Sequence, residues 1–236
     1  MSNYLIIIIS IPLFYLLIRG VKITFLDVKN YLESLKYRKK IQNSKPDFSK
    51  PIKIIGVGGG GSSIVDYLAT KYPKKFSALI LNSDKNALFS KSVKNKILLE
   101  KQDEYGCGSN TNCGFSLIND EVIAKLKEFI GEDKNVYIFA TLGGGCGSGS
   151  IKAICQNLDI KDLEINYILT LPFNWEGGKK YNRSMETINF LREHKSILNI
   201  FKNDSLLEYG NLSMKECFNK QNEEFNLLLF PNNLEL

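Results

Sequence analysis

From residue 52 onward the chain alternates between short unbroken apolar runs and longer stretches whose apolar positions recur every three or four residues. Ile52–Val57, Ser77–Leu81, Ile97–Leu99, Val136–Thr141 and Ile165–Thr170 are of the first kind, and they predict buried strands. Ser62–Tyr72, Asn119–Ile130, Ser148–Asn157, Arg183–His194 and Leu212–Phe230 are of the second kind, and they predict helices. In Asn119–Ile130 the side chains of Val122, Ile123, Leu126, Phe129 and Ile130 share one face. Apolar strands alternating with helices imply a parallel sheet with helices on both faces. Ligands of such sheets bind beyond the carboxyl ends of the strands.

The N-terminal part follows a different pattern. Met1 to Ile18 carries no charged side chain, and Arg19 through Lys50 is rich in lysine and arginine. Val21 and Ile23 extend the apolar run, with Arg19 and Lys22 reaching back to the interface, so residues 1–23 are expected to form a transmembrane anchor. A cleaved signal peptide fits less well, since no positive region precedes the run. An amphipathic or buried N-terminal helix is the plainer alternative. The positive-inside bias puts the N-terminus outside and the main domain at the cytoplasmic face of the inner membrane. Residues 24–51 read as a basic helical connector. The apolar positions Val21, Phe25, Val28, Leu32 and Leu35, which run from the end of the anchor into it, suit a short coiled coil or one helix continuing out of the bilayer. Pro46 and Pro51 end it, and residues 52–236 form the globular part.

Composition changes this picture little. The formal net charge of +6 is concentrated beside the membrane segment, which favours lipid-surface contact over nucleic acid. The five cysteines show no CxxC pairing or zinc spacing, so reduced, space-filling thiols are expected. A single histidine, His194, leaves little room for a catalytic triad or a histidine-rich metal site, and a solvated helix face is expected for it.

Glycine changes it more. Gly56-Val-Gly-Gly-Gly-Gly61, Gly106-Cys-Gly-Ser-Asn110 and Gly143-Gly-Gly-Cys-Gly-Ser-Gly149 each follow an apolar run and fall at the carboxyl edge of the predicted sheet. Glycine lets main-chain amides approach an anion closely, and helices starting there aim free N–H groups at it. No Gly-Lys-Ser/Thr follows, so this is not a P-loop with its lysine clamp.

In order along the chain, these loops resemble the FtsZ branch of the tubulin/FtsZ GTPases. Ile52-Lys-Ile-Ile-Gly-Val-Gly-Gly-Gly-Gly61 is similar to that family's first nucleotide loop. Leu142-Gly-Gly-Gly-Cys-Gly-Ser-Gly149 is similar to its GGGTGTG signature, with Cys146 and Ser148 in place of threonines. Asn82-Ser-Asp84 resembles the second loop, Gly106–Asn110 with Gly114 the third, and Thr170-Leu-Pro-Phe-Asn-Trp-Glu-Gly177 the fifth. Asn203-Asp-Ser-Leu-Leu207 resembles the sixth, and Phe218-Asn-Lys-Gln-Asn222 falls on the core helix. The resemblance implies a Rossmann-like α/β GTPase domain that binds GTP or GDP.

It also implies roles. Phosphate would be held by Gly58, Gly59, Gly60, Gly61 and Ser62, by Gly106, Gly108 and Asn110, and by Gly143, Gly144, Gly145, Cys146, Gly147 and Ser148, largely through amides, with the hydroxyls of Ser62 and Ser148 adding bonds. Glu176, Lys180 and Asn203 would serve the ribose, and Asn222 the guanine edge. Asp84 suits either a water-mediated Mg²⁺ contact or a helix N-cap. Trp175 is expected to be partly buried beside the ribose.

The family's core helix leads into a loop bearing catalytic acids that enters the neighbouring subunit's site, and then into a second domain. No Asn-x-Asp-x-x-Asp pattern follows Asn226 here, so the resemblance covers binding and not those acids. The expectation is a membrane-anchored GTP-binding accessory that caps or anchors filaments of a full-length FtsZ-type protein, with hydrolysis only if that partner supplies acids. Two rivals stand beside it. One is an NAD-type dinucleotide enzyme, which Gly56, Gly58, Gly61 and Asp84 fit loosely. The other is a non-binding scaffold of the same fold.

Overall fold

Six parallel strands carry the apolar runs, in a computed structural model that describes residues 50–100, 106–161, 163–194 and 196–230. They are β1 Ile52–Val57, β2 Phe76–Asn82, β3 Asn95–Leu98, β4 Asn135–Thr141, β5 Glu164–Leu171 and β6 Ile197–Lys202. The sheet order is β3-β2-β1-β4-β5-β6, so the chain starts at the centre, works out to one edge, and crosses back to build the other half. Val57 pairs with Leu81 on one side and Ala140 on the other, so the carboxyl ends of β1, β2 and β4 lie level. The order reverses between β1 and β4, and a crevice forms where such reversals occur.

The helices are α1 Gly58–Lys71, α2 Lys85–Phe89, α3 Thr111–Ser116, α4 Asp120–Ile130, α5 Gly145–Asn157, α6 Gly178–Glu193 and α7 Met214–Leu229. Each face of the sheet has its own core. On one face Ile64, Val65 and Leu68 of α1 and Phe225 and Leu229 of α7 cover Ile54, Ile80 and Phe139. On the other, Leu126 and Ile130 of α4, Ile151 and Ile154 of α5 and Ile188 and Leu191 of α6 cover Ile55, Leu81, Ile138 and Leu169. A period-two strand buried on both faces has to be apolar at every position, which is why these strands read as unbroken runs.

Three differences from the sequence reading matter. Helices expected to begin at Ser62 and Ser148 begin at Gly58 and Gly145, so most of each glycine run is the first helical turn. The helix expected at Arg183 begins at Gly178. Strand β6 was not anticipated: all but one of its residues are half-buried and Lys202 is exposed, so it lacks the solid apolar run of an interior strand.

The expected membrane segment, 1–23, and the connector up to residue 49 lie outside the described residues. Among the described residues no helix is long and apolar enough to cross a membrane.

Candidate functional site

An α-helix leaves its first N–H groups without intrahelical partners. In α1 these are the amides of Gly58, Gly59 and Gly60, which have no acceptor among the described residues. At the start of α5 the same holds for Gly144, Cys146 and Gly147. The two helix starts touch. Gly58 has a φ of +73°, and a Cβ there would lie 2.9 Å from the backbone of Gly147. Two positive helix ends thus face one crevice, an arrangement that attracts anions.

Other glycines of the runs serve the frame instead. A Cβ on Gly61 would lie 2.2 Å from the Phe139 carbonyl oxygen, and one on Gly145 would lie 2.6 Å from that of Asn110. The Gly145 N–H donates to the Gly108 carbonyl at 2.7 Å, and the Asn110 N–H to the Cys107 carbonyl at 2.9 Å. Gly143 donates its N–H to Ser148 Oγ at 2.8 Å. These three amides are therefore committed within the protein. The hydroxyls expected to bind phosphate are also turned inward. Ser62 and Ser148 are fully buried, and Ser62 Oγ donates to the Leu81 carbonyl at 3.3 Å. Each braces its loop from beneath.

The loop after β3 is held by two further devices. Ser83 Oγ accepts from the Cys107 N–H at 3.2 Å, and Asn110 Oδ1 caps α3 by accepting from Asn112 and Cys113. The loop turns back so far that Cys107 and Cys113 come together as a disulfide, with Cα atoms 5.6 Å apart. This corrects the expectation of five free thiols; Cys146, Cys155 and Cys217 are free. Asp84 is the N-cap of α2, accepting from the Ala87 N–H at 2.9 Å through Oδ1. Its Cβ stands beside Gly106, and the residue is exposed.

Side chains form the other end of the site. Glu176 accepts from the Phe173 N–H at 2.9 Å and pairs with Lys180. Burial pushes the Glu176 carboxyl up, but the Lys180 ammonium and the Phe173 amide outweigh it and hold it below the usual carboxylate range. Asn203 is buried, and its Oδ1 has no hydrogen-bond partner among the described residues. A buried polar atom of that kind normally finds a partner, and a ligand is one way it can. Asn222 on α7 is 7% exposed.

Phe218, one turn before Asn222, is the aromatic that the sequence reading left without a role. Its ring meets Phe173 edge-on at 6.2 Å, while 38% of the residue stays open to solvent, enough to cover a flat base. Its spacing of four from Asn222 was the available signal. Trp175 stacks on Phe173 and is 62% exposed, more open than expected. His194 is exposed at the end of α6, on Phe190.

The helix carrying Asn222 is fixed to the helix carrying the first glycine loop. Glu223 accepts from Tyr67 at 2.5 Å and from Lys71 at 2.7 Å, and also from Tyr72. Burial pushes the Glu223 carboxyl up, and Lys71 with the two tyrosines outweighs it, so the carboxyl is held below its ordinary range. An Asn-x-Asp-x-x-Asp spacing does occur in the chain, at residues 157–162. In the chain it precedes β5 and does not follow the core helix.

Glycine-led helix starts at a sheet crossover, together with a buried unsatisfied asparagine after β6, suit a nucleotide. Residues 51–211 match the tubulin/FtsZ family, GTPase domain. The chain is 34% identical over 170 residues to the cell division protein FtsZ of Mycoplasmopsis pulmonis, covering 71% of this chain and 43% of that protein. It is 31% identical over 171 residues to FtsZ of Aquifex aeolicus, covering 71% and 46%. It superposes on an empty FtsZ dimer structure from M. jannaschii with a TM-score of 0.64 at 25% identity, over 84% of this chain and 56% of that one. The chain thus spans about half the length of the curated relatives it matches. It belongs to the tubulin/FtsZ family and carries that family's GTPase domain.

Proposed function

We propose that this chain binds GTP and GDP across the carboxyl edge of its sheet and works as an accessory, capping or anchoring partner of a full-length FtsZ-type filament. The carrying observation is the meeting of two helix starts, whose free amides at Gly58–Gly60 and at Gly144, Cys146 and Gly147 offer an anion more donors than the protein uses. The residues fit the nucleotide at its other end as well. Asn203 Oδ1 is an acceptor awaiting a hydroxyl donor, and Asn222 with Phe218 presents an amide and a ring face. Asp84 with phosphate oxygens and water would hold Mg²⁺, which is commonly bound by one or two carboxylates plus substrate phosphates.

Anchoring is supported by the uncharged run Met1–Ile18 and the basic residues after it, with the domain on the cytoplasmic side of the inner membrane. The filament role is supported by the family, since FtsZ-type subunits associate through unlike faces. Hydrolysis then depends on acids brought by the partner.

The test is calorimetric titration of the full chain in detergent micelles with GTP, GDP, ATP and NAD. Guanine-selective binding is expected. A folded chain that binds none of them would leave a scaffold, and NAD binding alone would favour a dinucleotide enzyme. The partner role is checked by adding the chain to a full-length FtsZ-type protein and following filament length and phosphate release. Unchanged filaments and turnover would end it.

A further inference from the structure

Arg183, on the second turn of α6, is a cation without an anion. Its Nε donates to the Gly143 carbonyl at 2.9 Å and its Nη2 to Ser109 Oγ at 3.3 Å, both neutral acceptors. No carboxylate pairs with it among the described residues, although it is half-buried. Lys180, one turn earlier on the same helix, differs in this respect, because Glu176 already neutralises it. A partly desolvated guanidinium without a counter-charge is costly, and its five N–H donors are only partly used.

Its place along the site is ordered by contacts. Starting from Asn222 on α7, Phe218 meets Phe173, whose N–H binds Glu176, which pairs with Lys180. Lys180 lies against Gly143, where a Cβ would come 2.5 Å from its Cγ. Arg183 then spans from Gly143 to Ser109, and Gly108 accepts from Gly145 beside it. The path runs from the base helix, past the ribose residues, to the gap between the second and third glycine loops. A chain of phosphates laid along it ends at Arg183.

We propose that Arg183 reads the terminal phosphate of the bound nucleotide, and so sets the preference for a nucleoside triphosphate over a diphosphate. The inference rests on the nucleotide reading of the site. A guanidinium is suited to the task because its planar fork binds phosphate oxygens in pairs, while its remaining donors hold the two loops at a fixed separation. A diphosphate occupying the near part of the path leaves the guanidinium where it is, on Gly143 and Ser109. Only the third phosphate supplies the missing charge.

The experiment is titration of the full chain and its Arg183→Met and Arg183→Lys variants with GTP, GDP and the slowly hydrolysed GTPγS. The wild type should prefer GTP and GTPγS over GDP. Arg183→Met should lose about tenfold or more of that preference while GDP affinity changes by less than about twofold, tenfold being the scale of one charge-assisted contact. Arg183→Lys keeps the charge and loses the fork, so it should fall between. Ser109→Ala, which removes one loop contact and no charge, should keep most of the preference, and it serves if Arg183→Met does not fold. Equal weakening of GTP and GDP would make Arg183 a loop brace and overturn the proposal, as would an unchanged ratio. If the folded wild type binds no guanine nucleotide, the nucleotide reading itself fails. If it binds both nucleotides and the ratio ignores Arg183, only this inference fails.

Discussion

At the glycine-loop end of the site the surface offered to a ligand is main chain, whereas at the Asn222 end it is side chain. The amides of Gly58–Gly60 and of Gly144, Cys146 and Gly147 are available only because α1 and α5 start where they do, against β1 and β4. Moving them means moving the sheet. Asn203, Glu176, Phe218 and Asn222 sit on two 3-10 turns and one face of α7, where one residue can change and leave the backbone in place. The first end therefore ties binding to folding, and the second separates them. On the nucleotide reading proposed above, general affinity for a phosphate chain would belong to the frame, and choice of base to replaceable groups.

The sharpest break of that comparison is Gly61→Ala. The new methyl would fall 2.2 Å from the Phe139 carbonyl oxygen and 3.1 Å from Ala140 Cα, both on the backbone of a central strand. Nothing flexible is there to yield. A loss of about 3 kcal/mol is expected, at the upper side of overpacking costs, seen as a lower urea midpoint at unchanged slope. Wild-type stability in this variant would mean that α1 can slide on β4, and the glycine end would no longer count as frame.

The same division decides what could be read from the chain. Strands β1, β2, β4 and β5 are solid apolar runs because both faces are covered, and periodicity finds such runs to within a residue or two. The helix starts were placed three or four residues late, since glycine counts against helix in any propensity scale, and only close packing on β4 offsets it. Spacing could not tell which glycines bind and which pack: Gly144 and Gly145 are neighbours, yet one faces open space and the other Asn110. Ser62 and Ser148 look like phosphate ligands by position and are buried by the turn of the helix. The Cys107–Cys113 bridge and the span of Arg183 from Gly143 to Ser109 join residues that only the folded loops bring together. Family resemblance named the candidate residues, and the coordinates show which of them are bonded or packed within the protein.

A pair of substitutions sharpens the comparison in solution. Gly144 has extended φ and ψ, and a Cβ there would meet nothing within 4 Å, so Gly144→Ala should fold normally and place its methyl in the space beside the free amides. It is expected to weaken GTP and ATP alike, by about tenfold, because the obstructed groups are common to both. Asn222→Ala should lower GTP affinity by a similar factor and leave weak ATP binding where it was, since it removes a side-chain hydrogen-bonding edge and none of the main-chain N–H groups. Titration of both variants with both nucleotides reads the two effects separately. A selectivity change in Gly144→Ala, or a uniform loss in Asn222→Ala, would reverse the assignment of the two ends.

The smallest expected effect concerns the pair at the junction of the two ends. The Glu176 carboxyl is held below its ordinary range, with Lys180 and the Phe173 amide outweighing burial. A carboxyl lowered on folding contributes stability above its unfolded pKa, and that contribution is lost as pH falls through the folded value. The window therefore lies below about pH 4.5, and at neutral pH the group is fully ionised. The pair is partly open to solvent, so its share of stability should stay below about 1 kcal/mol. Glu176→Gln is expected to shift the urea midpoint only slightly at pH 7, and by progressively less as the pH is lowered below about 4.5. Its larger consequence should be a few-fold weaker binding of GTP at pH 7, because an unneutralised Lys180 and a lost acceptor alter the ribose end. If Glu176→Gln instead cost stability as heavily as Gly61→Ala, this side chain would belong to the frame after all, and the boundary between the two ends would move to Asn203.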